Sequence, residues 1–415
     1  MAYCVIAVCK VHELLPDVGN VSAAKIVGAP LILAALFAVP AGSFKALLRS
    51  APMKWLAAVV VLAVLSVPFG LWAGGSFQFL SQVFWKSLLF CVIASAAWLD
   101  RRTLHLSLVA LVSGTTVVAL MLLLRVSQVA GARFYGGATH DPNETALLLL
   151  VFIPFAMYLA SSAKGVAKGV WYVSALLMVG GIARTGSRGG FLGLLALVGW
   201  LVYRAAPRRR WRYVAGTLVA VAGFGLAIDA ASLQRLATLT DPTADYNYTY
   251  REGRLEVWKR GLGYLAAHPL LGVGVENFEV AEGVISGKRN EGFGVKWSAA
   301  HNSFIEVGAE LGLPGLVAFV GMLWAAAVGC RRVRAAASRG TMGAGLVPVR
   351  EGNLADAGLG ALVAWLVAGS FLSMAYDVTT LFIVAFCVAV WSGSPLANYQ
   401  ALRPLERRAP PTRAC

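Results

Sequence analysis

The chain is 415 residues long, 58% hydrophobic and 13% charged, with a mean hydropathy of +0.70. A soluble domain carries roughly 25% charge. Apolar runs of about 20 residues, the length a bilayer demands, recur from end to end. These features exclude a water-soluble globular domain and predict an all-α, polytopic helical membrane protein, effectively one membrane domain. The formal net charge of +16 is of the kind that attracts nucleic acid. Most of the surplus, however, lies in short loops between apolar runs, where membrane proteins place it, so membrane lipid and not nucleic acid is the expected partner. No run has the short apolar core and small-residue cleavage site of a removable signal peptide. Cys4, Cys9, Cys91, Cys330, Cys387 and Cys415 sit in apolar spans or at their basic ends, so neither a disulfide nor a metal framework is expected.

In chain order, residues 1–9 read as a short first span, followed by the link HELLPDVGN. Further spans are expected at 22–41, 55–73, 79–99, 103–125, 145–162, 169–184, 190–203, 213–229, 313–329, 355–375 and 378–394, about 12 in all. A Gly-Gly-Ser turn separates the third from the fourth. Lys45, Arg49 and Lys54 follow the second span, Arg101 and Arg102 the fourth, Lys164 and Lys168 the sixth. RAAPRRRWR follows the eighth, RRVRAAASR the tenth, and the tail is basic. This alternate set of loops holds more than half of the lysines and arginines, so it is expected to be cytoplasmic. The opposite set is then extracytoplasmic: the 126–143 link, the 184–190 turn, the 230–311 loop and the 376–379 turn. In a bacterium that places the protein in the inner (cytoplasmic) membrane with this face toward the periplasm. Three regions follow: N-terminal spans at 1–229, a long loop at 230–311, and C-terminal spans with a cytoplasmic tail at 312–415.

The long loop gathers Arg251, Arg254, Lys259, Arg260, Lys288, Arg289, Lys296, His268 and His301. Leu255, Trp258, Leu262 and Leu265 recur at helical spacing, which predicts an amphipathic helix over 250–267 near the interface. His268-Pro269 ends it, and GVGVENF follows as a glycine-loosened turn. A second interfacial helix is expected from near His301, with Ser303 and Glu306 at capping-box spacing, broken at Gly312 to Gly315 before the next span.

Four groups fall on the same membrane face: His140-Asp141-Pro142-Asn143-Glu144, Arg184 with Arg188, Arg251 with Arg254, and His301. Arginine's planar fork suits phosphate oxygens. The amides of Gly189 and Gly190 at a helix start favour an anion. A nearby histidine suits proton transfer from a hydroxyl at neutral pH. Each residue also has a plain reading. Arg254 fits an interfacial arginine paired with lipid phosphate or Glu256. Arg251, Lys259 and Arg260 fit lipid-facing or solvated cations. Arg188 fits a span-end cap, Asp141-Pro142-Asn143 a helix start, His301 a helix cap, and His268 a structural residue before proline. Glu310 fits a carboxylate that holds an arginine.

DPNETA at 141–146, TGSRGG at 185–190, GRLEVW at 253–258, HPLLGVGVENF at 268–278 and HNSFIEVGAELGLPG at 301–315 together resemble the O-antigen ligase and polymerase superfamily, most strongly from about 170 to 330. The resemblance implies transfer of a glycan from an undecaprenyl-diphosphate carrier at the periplasmic face, with no cofactor, metal or nucleotide sugar. In the ligase branch the acceptor is a hydroxyl of the lipid A core; in the polymerase branch it is another carrier-linked repeat unit. By similarity Arg188 and Arg254 grip the diphosphate and His301 activates or orients the acceptor hydroxyl. Arg251, Asp141, His140 and Gly189 are the accompanying substrate-binding candidates, with Arg133 and Tyr248 behind them. The expected reaction is the ligase's, because an extended cationic loop suits an anionic lipid A core. The polymerase remains the alternative. The third, protein-glycosylating branch is disfavoured because the chain ends soon after the last span without an added periplasmic domain. A lipid-linked glycan transporter is the non-enzyme rival; it would place ionisable residues near the bilayer midplane, often in repeats.

Overall fold

The computed structural model describes residues 5–9, 30, 39–124, 141–238, 253–286, 297–339 and 349–397, and every regular element among them is helical. The helices, in chain order, are α1 (Ala41–Arg49), α2 (Ala51–Ser66), α3 (Ala73–Ala97), α4 (Arg101–Leu123), α5 (Pro142–Ser162), α6 (Gly165–Thr185) and α7 (Arg188–Arg204). They continue with α8 (Arg210–Ala227), α9 (Ala230–Ala237), α10 (Arg254–Ala267), α11 (Ser303–Arg339), α12 (Val349–Gly369) and α13 (Val378–Ser392). Among the described residues, 7 helices are long and apolar enough to cross a membrane, and α13 is a shorter apolar helix. The expected span at 22–41 lies almost wholly outside the described residues, and Val5–Cys9 forms one π-helical turn. His140, Arg133, Tyr248, Arg251, Lys288, Arg289 and Lys296 also lie outside them.

The centre of the bundle is apolar on all sides. In α13 every residue from Val378 to Val390 is buried, as is every residue of α5 from Thr145 to Ala156. Helix α5 packs on α6 and α12, α11 packs on α2 and α12, and α13 packs on α3 and α11. Aromatic rings lock the middle: Phe152 lies 4.8 Å from Phe382, Phe155 4.7 Å from Phe386, and Trp98 5.7 Å from Phe382. Lipid tails are as apolar as these side chains, so close packing holds such helices together more than expulsion of water does. At the other extreme α8 buries none of its described side chains, and its Leu218, Val221 and Leu226 face outward.

One end of the bundle is tied by ion pairs. Arg101 grips Glu351 at 2.9 and 2.8 Å and also donates to the carbonyls of Ala389 and Val390, at the C-terminus of α13. Arg334 and Arg204 share Asp356, at 2.6 and 3.3 Å. Cations at helix C-termini complement the helix dipole.

At the opposite end the helices break. The Gly-Gly-Ser stretch expected as a turn is instead the first turn of α3, and the break precedes it at Gly70-Leu71-Trp72. The glycines serve packing: a side chain on Gly75 would sit 2.3 Å from the Trp72 ring. Helix α11 kinks at Gly312 (φ 69°, ψ −171°), within the expected break, and resumes through Pro314. The kink turns the carbonyls of Ala309 and Glu310 away from their own helix. They accept from Val273 N (2.8 Å) and Gly274 N (3.0 Å), while Leu313 N donates to Pro269 O (2.8 Å). The same 269–275 segment accepts Leu71 N at Val273 O and donates Val275 N to Ser66 Oγ.

A Cβ at position 312 would lie 2.6 Å from Pro269 O, in a backbone conformation that side chains rarely adopt. Gly312→Ala is therefore expected to destabilise the protein by about 1–3 kcal/mol, read as a lower unfolding midpoint in detergent. Gly199→Ala meets nothing within 4 Å and is expected to leave the midpoint level or raise it by up to ~1 kcal/mol. Equal behaviour of the two variants would contradict this account.

Candidate functional site

Arg188 is the first residue of α7. Helix α6 stops at Gly186, which adopts the left-handed conformation (φ 59°) that a glycine allows, and Ser187 caps α7 by accepting from Gly190 N at 3.1 Å. The Gly190 amide expected to favour an anion is thus engaged by its own helix cap. The two glycines have a different use, which is close approach. A Cβ on Gly190 would meet Ala146 at 2.7 Å and one on Gly189 would meet Phe371 at 3.0 Å. Arg188 itself donates to Thr238 Oγ1 at 2.9 Å. Arg184 turns elsewhere: it is buried, reaches Ala227 O at 3.4 Å and lies 3.7 Å from Asp229, so it braces the corner between α8 and α9.

Asp141 caps α5. Its carboxylate accepts from Asn143 N (2.7 Å) and Glu144 N (2.8 Å), and Glu144 accepts from Asp141 N (3.3 Å), a complete capping box. The carboxylate expected to touch substrate is thus engaged in starting a helix, next to the α5 residue, Ala146, on which Gly190 packs.

Arg254 is the first residue of α10, which starts after Gly253 and ends at His268. The buried face of α10 is Val257, Gly261 and Tyr264, whereas Leu262, assigned to the apolar stripe, is 54% exposed. Gly261 decides the facing, because Ile305 and the Phe278 ring lie where its side chain would be. Arg260, expected in lipid or solvent, instead forms a two-pronged pair with Glu282 at 2.8 and 2.6 Å. Glu282 is 1% exposed and also accepts from Tyr264 OH at 2.7 Å. Lys259, as expected, is solvated and pairs along its own helix with Glu256.

His301 precedes α11 with φ 46° and donates its backbone N–H to Ser373 Oγ at 3.0 Å. The helix cap is neither His301 nor Ser303. Asn302 Oδ1 accepts from Phe304 N (3.0 Å) and Ile305 N (3.2 Å). Ser303 and Glu306, expected as a capping box, reach across to another element: Ser303 donates to Leu372 O (2.7 Å) and accepts from Met374 N (3.0 Å), and Glu306 accepts from Ala375 N (3.4 Å). Glu310, expected to hold an arginine, accepts from Phe278 N at 3.1 Å and so fixes the loop backbone.

The segment 370–377, between α12 and α13, therefore joins the parts. Phe371 lies against Gly189 and its ring is 6.1 Å from that of Trp258, one turn along from Arg254. Trp258 donates to Ala300 O at 3.0 Å, beside His301, and Ser373 holds His301. Tyr376 is buried behind them, and burial followed by the carboxylates of Glu310 and Glu306 pushes its phenol well above its ordinary value, so it stays protonated. Sequence reasoning divided this segment, placing 370–375 within the span expected at 355–375, which ends instead at Gly369, and only 376–379 in a turn. Its one local signal is the polar Ser370 and Ser373 interrupting two apolar runs.

A multi-pass helical membrane protein with two helix-leading arginines and a histidine gathered at one end is what these elements define. A family model described as O-antigen ligase matches residues 173–320, which contain Arg188, Arg254 and His301, and the match supports the resemblance to the O-antigen ligase and polymerase superfamily. The match supports a glycosyltransferase-type enzyme of O-antigen assembly, with lipid-linked glycan substrates and lipid-anchored acceptors. No curated protein matches the chain.

Removing one partner of a buried ion pair strands the other. Arg260→Ala, which leaves the buried Glu282 carboxylate without its guanidinium, is expected to lose about 3–5 kcal/mol of stability, measured by thermal unfolding in detergent. Lys259→Ala, on the exposed side of the same helix, is expected to change it by less than about 1 kcal/mol.

Proposed function

We propose that the protein transfers O-antigen glycan from undecaprenyl diphosphate to a hydroxyl of the lipid A core, at the periplasmic face of the inner membrane. The observation that carries this reading is the placement of Arg188 and Arg254, each at the first position of a helix, in elements that meet at the segment holding His301. A cation at a helix N-terminus opposes the helix dipole. An anion between two such helices relieves that opposition and gains two planar guanidinium partners. A diphosphate carries enough negative charge for both guanidinium groups.

In the proposed reaction His301 accepts the proton of the acceptor hydroxyl. The hydroxyl oxygen bonds to the anomeric carbon as the bond from that carbon to the phosphate oxygen breaks. The electron pair leaves on undecaprenyl diphosphate, where Arg188 and Arg254 stabilise the growing charge. One displacement inverts the anomeric centre. The two guanidinium groups supply the charge neutralisation, so the scheme needs no metal or other cofactor. The transporter rival is disfavoured because the arginines and histidine named here cluster at one end of the bundle and not at its middle.

The deciding assay offers purified protein a carrier-linked glycan with either lipid A core or carrier-linked repeat unit as acceptor. Product on lipid A core is expected, with Arg254→Ala and His301→Ala each slower by about 10²-fold or more. Longer carrier-linked chains would make the protein a polymerase. Passage of the carrier across the membrane without transfer would make it a transporter. Retention at the anomeric carbon would overturn the single displacement.

A further inference from the structure

We propose that Trp258 and Phe371 form a stacking platform for the first sugar of the lipid-linked donor; this rests on the reading of Arg188 and Arg254 as the residues that hold its diphosphate. Trp258 follows Arg254 by four residues in α10, so the two share a face of the helix, one turn apart. Phe371 belongs to the 370–377 segment and lies against α7. A Cβ on Gly189, the residue after Arg188, would sit 3.0 Å from the Phe371 Cβ and 3.6 Å from its ring, so the glycine is what lets Phe371 take this place. The Trp258 and Phe371 rings are 6.1 Å apart and tilted by 43°. An aromatic pair thus bridges the starts of the two helices that carry the arginines.

Both rings are half-buried, neither sealed in the core nor standing free. The polar atom of Trp258 is engaged, because Nε1–H donates to Ala300 O at 3.0 Å. What the indole still offers a ligand is its ring, and phenylalanine has nothing else to offer. The face of an aromatic ring is electron-rich and attracts C–H groups that carry partial positive charge. A pyranose presents such groups, because its axial C–H bonds gather on one face while its hydroxyls point outward.

A diphosphate carrier has a sugar on one side and a prenyl chain on the other. The aromatic pair lies on the sugar side. Ala300, which accepts from Trp258, precedes His301, and Phe371 is two residues from Ser373, which accepts from His301 N at 3.0 Å. The bond broken in the proposed transfer joins the diphosphate to the anomeric carbon. The group that meets this side of the arginines is therefore the first pyranose.

Bracing of α10 against the 370–377 segment would need the same aromatic contact, so the test reads the sugar directly. Full-length protein in detergent is titrated with undecaprenyl diphosphate, with undecaprenyl diphosphate bearing one glucopyranose, and with lipid A core. Wild type is expected to bind the sugar-bearing carrier roughly 3- to 10-fold more tightly than the bare carrier. Trp258→Leu and Phe371→Leu are each expected to lose most of that preference while binding the bare carrier within about twofold of wild type. Trp258→Phe keeps a ring and is expected to keep the preference. An unchanged ratio in the folded leucine variants overturns the proposal, as does a wild type that binds both carriers alike. Equal weakening toward both carriers assigns the pair to the prenyl chain or to packing alone, and weakening only toward lipid A core assigns it to the acceptor; either result overturns the proposal. If Trp258→Leu does not fold, Phe371→Leu decides on the same ratio. Should Arg254→Ala and Arg188→Ala bind the bare carrier as wild type does, the diphosphate reading fails first and takes this inference with it.

Discussion

A helix that breaks inside an apolar bundle exposes amides and carbonyls that lipid cannot satisfy, each at a cost of several kcal/mol. At the end of this bundle that carries the candidate site, the breaks satisfy one another. The carbonyls released by the Gly312 kink take the amides of Val273 and Gly274; Val273 O takes Leu71 N from the break between α2 and α3; Ser303 takes both a carbonyl and an amide from the 370–377 segment. Breaks that need each other must lie together. This requirement, more than any single contact, collects the irregular and chemically useful part of the chain at one end.

Ion pairs tie both ends. Arg101, Arg204 and Arg334 meet carboxylates, and Arg101 also reaches the carbonyls that end α13. These are structural ties, favourable on their own. Arg188 and Arg254, like Arg101, are the first residues of their helices, against the direction of the dipole. Arg260 sits only two turns from Arg254 yet belongs with the ties, because Glu282 matches it. A count of positive charges in the loop does not single out Arg260 as a tie; the buried Glu282 carboxylate beside it does.

Much of the fold was legible in the sequence because apolar length and loop charge are properties of one stretch at a time. The spans expected at 103–125 and 145–162 match α4 and α5 to within three residues at each end. The helix expected over 250–267, which starts at Arg254, its stop at His268 and the Gly312 break were readable from local signals. What was not readable depends on distant partners. Local spacing made Ser303 and Glu306 a capping box, a reasonable inference until Asn302, one residue earlier, takes the cap and the other two face Leu372, Met374 and Ala375. The Leu255–Leu262 stripe was helical, but Gly261 against Ile305 and Phe278 turned the helix so that Leu262 faces out. Phe371 and Ser373 carry no motif at all and matter only because Gly189, Trp258 and His301 arrive beside them.

That arrangement makes the candidate site a property of the whole bundle. Arg188, Arg254, His301 and Ser373 come from four separate parts of the chain, and no two are joined by a single helix. Their relative placement rests on α12 and α13, whose core is among the most tightly buried in the molecule. The 370–377 segment between them is fixed at one side by α12 packing on α5 and α7, and at the other by α13 seated among Trp98, Phe152 and Phe155. The aromatic centre of the bundle, far along the helices from any polar chemistry, is thus what keeps a serine in reach of a histidine at the bundle's end.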